Sequence, residues 1–290
     1  MFKVTNLLKF LTASNFTRTI NFYLEALTIN RIHSPFYFKL CSRILDLSKE
    51  YTRDYLIEHR RAALLKDETP IGFIDLGAGS KGKKSDDQTT TTIKAVGKMA
   101  TSPIRKCRLL RNLILFFKPK QILELGSNLG IMTAYMHHTS PSTPIVSVEG
   151  IQPIFQYAKE TIKLLSLEES VELYHSSFES FFKEELDKIQ QCDFVFLDGD
   201  HTYEGTLNYV KQMWVKADEM LGRRKVIVID DIYWSDGMYK AWTEISKWKG
   251  CNTLDLYQLG IVIISGDLAE PKNLKCVTRV AKPWQLGLFG

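Results

Sequence analysis

The sequence predicts an α/β fold: one Rossmann-like, mostly parallel sheet preceded by a helical extension. Three observations carry this. The stretch Ile122-Leu123-Glu124-Leu125-Gly126-Ser127-Asn128-Leu129-Gly130 reads as a buried strand, an acid, a tight glycine turn and a helix start. Apolar runs then alternate regularly with helical patterns, which implies right-handed crossovers between parallel strands. Finally, two apolar runs flank Gly260 closely enough to form a hairpin.

The elements follow in order. Residues 1–66 read as helical, with apolar residues at helical spacing in Phe36-Tyr37-Phe38-Lys39-Leu40 and in Tyr55-Leu56-Ile57. Ser34 suits an N-cap, and Pro35 suits the first helical position. The run Ile71 to Ser80 reads as a strand ending in a glycine-rich turn, and Lys81 to Thr92 as a polar loop. A basic amphipathic helix covers Ser102 to Phe117. Strands are expected at 121–125, 144–148, 171–175, 193–197 and 225–230, with helices at 129–138, 152–166, 178–190 and 203–221. A last helix, Asp236 to Trp248, leads to hairpin strands Asn252–Tyr257 and Ile261–Ser265. The expected sheet therefore has seven strands, five parallel plus the C-terminal hairpin. Residues 1–97 form the extension with its polar loop or cover, and residues 98–290 the main domain.

Composition narrows the class. At 290 residues, 44% hydrophobic and 24% charged, the chain suits a soluble globule with a full core. Five cysteines show no CxxC and an odd total, which argues for a reducing, cytoplasmic setting and against a disulfide framework or zinc site. No apolar run is long enough to span a bilayer, and residues 1–20 lack the continuous apolar core of a signal peptide. Charge is uneven. Residues 1–120 hold 22 Lys and Arg against 10 Asp and Glu, whereas residues 121–290 hold 16 against 23. The basic part suits an anionic substrate, an acidic membrane surface or nucleic acid, or is simply a set of solvated helix faces.

Four motifs carry the chemistry: Glu124-Leu125-Gly126-Ser127-Asn128-Leu129-Gly130; Val146-Ser147-Val148-Glu149-Gly150; Tyr174-His175-Ser176-Ser177-Phe178; and Phe196-Leu197-Asp198-Gly199-Asp200-His201. In this order they resemble the class I S-adenosylmethionine-dependent methyltransferases over residues 98–265. The resemblance implies that Glu124, Gly126, Ser127, Asn128 and Gly130 receive the methionine part of S-adenosylmethionine. Glu149, with Gly150, would accept the ribose hydroxyls, 25 residues after the first acid, near the roughly 20-residue offset of ribose-binding acids in dinucleotide folds. Ser177 and Phe178 would flank the adenine, and Asp198 would border donor and acceptor. A dehydrogenase is disfavoured, because the first turn lacks three-glycine spacing. The better match, Gly77-Ala78-Gly79-Ser80-Lys81-Gly82, runs into a polar loop rather than a helix.

A sharper likeness is to the cation-dependent O-methyltransferases of the catechol and caffeoyl-coenzyme A type. Lys98-Met99-Ala100-Thr101-Ser102-Pro103 resembles the segment that closes over cofactor and metal there, so Met99 and Thr101 join the expected cofactor site. The implied metal ligands are Asp198, Asp230 and Asp231; the family has Asn at the last position. Three carboxylates suit magnesium or calcium. His201, three positions after Asp198, corresponds to the general base; without a metal, the acidic pair would be a strand end that caps a helix or binds water. Ile232-Tyr233-Trp234 and Met238 would shape an acceptor pocket, while His137-His138 would favour a helix C-terminus. The expected acceptor is a small-molecule or lipid-like hydroxyl, and the candidate assembly a homodimer. A nucleic-acid methyltransferase is disfavoured because Asp-Gly-Asp-His does not offer a stacking aromatic to a flipped base. A non-catalytic cofactor-binding partner protein would not need these acids.

Overall fold

The computed structural model describes residues 13–49, 51, 54–73, 89–214, 224–266, 273–278 and 281–282. The chain opens with helix α1 (Ala13–Glu25), strand β1 (Leu27–Thr28), α2 (Pro35–Ile44) and α3 (Asp54–Leu64). Strands β2 (Pro70–Phe73) and β3 (Thr89–Thr92) pair with each other, antiparallel and apart from the main sheet. Helices α4 (Ile93–Ala100) and α5 (Ile104–Phe117) follow. The alternating part runs β4 (Ile122–Leu125), α6 (Ile131–Thr139), β5 (Ile145–Glu149), α7 (Gln152–Leu164), β6 (Val171–His175), α8 (Phe178–Glu184), α9 (Leu186–Gln191), β7 (Phe194–Leu197), α10 (Tyr203–Met213) and β8 (Arg224–Asp230). It closes with α11 (Asp236–Ile245), β9 (Cys251–Asp255), β10 (Leu259–Ser265) and β11 (Asn273–Val277).

The strand order is β1-β11-β9-β10-β8-β7-β4-β5-β6. Strands β4 to β8 are parallel, and β10 runs antiparallel to both β8 and β9. The five parallel strands and the hairpin fall where the sequence puts them, but among the described residues the sheet has nine strands, not seven. The additions are β11, parallel to β9, and β1, parallel to β11. Neither shows a clean apolar period: β11 reads Asn-Leu-Lys-Cys-Val, and β1 is two residues long.

Other corrections are local. Within the expected polar loop, Thr89–Thr92 is a strand, because four β-branched threonines pair well on a pleated edge. Ile93–Ala100 is a helix the sequence reading left unassigned, N-capped by Thr92, whose hydroxyl accepts from Ala95 N–H. The helix expected over 178–190 breaks at Glu185 (φ −121°); of that expected over 203–221, Tyr203–Met213 is helical and Trp214 extended, and residues 215–221 lie outside the described residues. Ser34 does precede α2 with Pro35 at the start, although its side chain makes no capping bond. The Gly77–Gly82 turn lies outside the described residues.

Strands buried on both faces need apolar side chains on both, and alternate residues supply them. Ile122, Phe194, Phe196, Val226 and Val228 pack with Leu40, Ile57, Leu110, Ala134 and Ile162 on one face. Leu123, Val148, Val195 and Ile227 pack with Phe181, Val210, Trp242 and Phe22 on the other. The extension is thus part of both layers. Phe22 meets the rings of Tyr233 and Tyr257 at 5.7 and 5.2 Å. Near the far end of the chain, Lys282 Nζ donates to the carbonyls of Ala26 (2.6 Å) and Leu24 (3.2 Å), satisfying the C-terminal end of α1.

Candidate active site

Strand β4 lies between β5 and β7, so the chain leaves it toward opposite sides of the sheet. That reversal opens a crevice beyond the strand ends, the usual ligand position in open α/β sheets. Gly126 ends β4 there with φ +106°, and an added Cβ would lie 2.1 Å from the Asp198 carbonyl oxygen. Both facts demand glycine. The Asp198 N–H donates to Leu125 O at 2.8 Å, so the first and fourth motifs meet directly.

A shallow cleft sits at this point, lined by Ala100, Thr101, Ser102, Gly126, Ser127, Asn128, Leu129, Ile131, Met132 and Asp198. It brings together the expected Thr101, Gly126, Ser127, Asn128 and Asp198. Met99 stands outside it, 71% exposed. The wall at Ser102 is held by α3: Arg61 donates to Ser102 O at 2.6 Å and pairs with Glu58 at 3.0 Å, and Glu58 also accepts from Tyr135 OH at 2.8 Å.

Glu149 reaches the glycine turn from the neighbouring strand. Its Oε2 accepts from Asn128 N–H (2.9 Å) and its Oε1 from Ile151 N–H (3.0 Å). A carboxylate offers about four lone-pair directions, so both oxygens retain acceptor capacity. Burial raises its pKa against these backbone donors. Glu124 lies deeper, fully buried. Its Oε2 accepts from Thr133 and Ser147 hydroxyls, Ser147 in turn meets Ser127, and its Oε1 has no protein partner. Burial pushes Glu124 up to about 7, opposed by the two hydroxyl donors and assisted by the Glu149 charge. Ser147 and Thr133 escaped the sequence reading; their signal was hydroxyls on otherwise apolar buried elements.

The third motif lies alongside. Ser177 N-caps α8 by accepting from Ser180 N–H at 3.1 Å. The Phe178 ring packs against Gly199, where an added Cβ would come within 2.8 Å, and edge-on to Tyr209 at 5.7 Å. Gly130 (φ +78°) opens α6 and sits against Ala158, and Gly150 follows Glu149. His137 and His138 fall in the last turn of α6. Ile232, Tyr233 and Met238 are buried, with Tyr233 OH donating to Asp255 at 2.9 Å, so of that group Trp234 alone is exposed.

The acidic end of the crevice is crowded. Asp198, Asp230 and Asp231 end β7 and β8, and His201 Nε2 stands 3.8 Å from Asp198 Oδ1, too long for a hydrogen bond. Asn128, Asp200 and Asp231 all adopt positive φ (48°, 45° and 51°), a concentration of unusual backbone at three strand ends. Into this cluster comes Lys106 from α5, which the sequence reading did not single out. Its Nζ lies 2.6 Å from Asp230 Oδ2 and 3.5 Å from Asp231 Oδ1, with 9% of the Lys106 side chain and 2% of Asp230 exposed. Lys106 shares a helix face with Leu110 and Leu113, and a lysine on an apolar stripe was the available signal. Burial raises Asp198 to about 6, opposed by Lys106 and reinforced by Asp231 and Glu124. Asp230 is driven well above the carboxylate range by burial and then by its acidic neighbours. Burial works to lower Lys106, but Asp230, Asp198 and Asp231 hold its ammonium above the ordinary range.

Comparison with known proteins agrees with this geometry. Residues 123–232 match the family model described as a methyltransferase domain. The chain has a class I methyltransferase fold. An O-methyltransferase from Bacillus cereus, solved in complex with SAH, aligns at 15% identity over 75% of this chain and 91% of its own, with a TM-score of 0.50. A structure titled a caffeoyl-CoA O-methyltransferase from Staphylococcus aureus aligns at 17% identity over 59% and 88%, also at 0.50. No curated protein matches in sequence.

Within this methyltransferase fold the three aspartates have the chemistry of a hard-cation site, but their arrangement does not fit one. Two of the oxygens that would face an ion, Asp230 Oδ2 and Asp231 Oδ1, face the Lys106 ammonium instead, Asp230 Oδ1 is left buried without a hydrogen-bond partner, and among the described residues no group of three or more His, Cys, Asp or Glu is disposed to hold a metal.

Proposed function

We propose that this chain is an enzyme that transfers a methyl group from S-adenosylmethionine to a hydroxyl on a small or lipid-like molecule. The observation that carries the reading is the meeting of Gly126 and Asp198 at the switch point, with Glu149 tied to the same turn through Asn128. When bound, S-adenosylmethionine supplies an electrophilic methyl carbon on a sulfonium. Glu149 would hold the ribose, Ser177 and Phe178 would border the adenine, and the free Oε1 of Glu124 would face the amino end. The Gly126–Asn128 backbone would align the donor for in-line displacement, where fixed geometry supplies most of the acceleration. His201, 25% exposed beside Asp198, would take the acceptor proton.

Residues 98–290 would hold donor and chemistry, with residues 1–97 as cover, and the reducing cytoplasm suits five buried free cysteines. No helix among the described residues is long and apolar enough to cross a membrane. A homodimer is an assembly to test by sedimentation. The deciding experiment is calorimetry of the purified chain with S-adenosylhomocysteine and, separately, with NADH. Heat with the first is expected. Heat with NADH and none with S-adenosylhomocysteine overturns the reading.

A further inference from the structure

We propose that Lys106 is the resident cation of this site: its ammonium occupies the place where the cation-dependent relatives would hold a divalent ion, and the chain takes no metal there. The inference rests on the methyltransferase reading for the meaning of the position, but the geometry stands alone. Three carboxylates collected at two strand ends repel one another and need a compensating charge to stay buried. Lys106 provides it from α5, with its side chain buried and its head on Asp230 and Asp231. An ion sharing Asp230 Oδ2 would sit within a few ångströms of a like charge that almost no water screens.

The position is also sterically committed. Pro103 caps α5, and Ser102, just ahead of it, is fastened by Arg61 and Cys107, so the first turn of α5 is fixed against the cleft wall. Lys106 leaves that turn directly into the acidic cluster. The Asp231 carboxylate has a place in this arrangement. The extra negative charge faces an extra positive one, at 3.5 Å, instead of making an ion site more negative.

The test is a titration of the intact protein with Mn2+ followed by electron paramagnetic resonance, with thermal unfolding in EDTA and in 5 mM MgCl2. For the unaltered chain the expected result is no Mn2+ bound at millimolar concentration and a melting temperature that differs by less than about 1 °C between the two buffers, since a ligand stabilises only what it binds. Lys106→Met leaves the carboxylates uncompensated. It is expected to melt lower in EDTA and to recover by at least about 3 °C in MgCl2, a response of the size that millimolar binding gives. Lys106→Arg keeps the charge and should show no such recovery. One Mn2+ bound per chain in the unaltered protein, or a Lys106→Met variant that folds yet shows no magnesium-dependent shift, overturns the proposal. If Lys106→Met does not fold, the Mn2+ titration of the unaltered chain decides alone. S-adenosylhomocysteine calorimetry run in parallel separates this outcome from a failure of the methyltransferase reading.

Discussion

Gly126 and Asp198 are in backbone contact across the switch point. No side chain fits between the turn that ends β4 and the carbonyl of the residue after β7. Gly126→Ala should therefore destabilise the fold by about 2–4 kcal/mol, combining positive-φ strain with a backbone clash. It should also weaken S-adenosylhomocysteine binding more than tenfold. Chemical denaturation and calorimetry measure the two effects. A variant of unchanged stability would mean that the two strand ends are not packed as described.

Glu149 serves two backbone donors before any ligand arrives. Glu149→Ala should lower S-adenosylhomocysteine affinity by at least about a hundredfold, given roughly 1.5–3 kcal/mol for each hydrogen bond to a charged group. The unliganded protein should also lose stability, because two N–H groups are orphaned. Unaltered affinity by calorimetry would remove Glu149 from the cofactor site.

Glu124 gives a pH signature. Its carboxyl is raised to about 7, above the unfolded value near 4.3. The protonated form is the one that folding favours. The stability it contributes is complete below the unfolded value and is lost as pH rises through about 7. At about 1.4 kcal/mol per pH unit, the loss across that window is about 4 kcal/mol. Glu124→Gln should remove this slope, so the stability difference between variant and parent should shift in favour of the variant from pH 5 to pH 7.5. Parallel denaturation curves at the two pH values would contradict it.

Arg61 links α3 to the cleft wall at Ser102. Arg61→Ala should loosen that wall, lowering S-adenosylhomocysteine affinity about tenfold and increasing amide exchange at Thr101 and Ser102. Glu58, left without its guanidinium, adds a stability loss of about 1–3 kcal/mol. Hydrogen exchange that is unchanged at those two amides would place the wall under other control.

The alternation of β4 to β8 with its helices was legible because buried parallel strands are written as continuous apolar runs. The glycine turn was legible because its conformation admits few residues. Strand β11 and the Thr89–Thr92 strand were not, since their pairing comes from neighbours distant in sequence and their own composition is polar. In the site, single motifs announced Gly126, Glu149 and Asp198. Lys106 and Asp230 meet across 124 residues, and no local pattern links them. Met99 shows the reverse limit: a motif position can face outward when the helix carrying it, α4, ends one residue later.

Two segments far apart in sequence meet at β1 and β11, where Leu27 aligns with Cys276 and Thr28 with Val277, and Lys282 closes on α1. During synthesis β1 must wait for β11, made long after it, before it finds its partner. Until then the outer side of β9 remains an open template for pairing with another molecule. Removal of β1 or β11 should therefore surface first as clumping of newly made chains, ahead of any loss in a mature molecule.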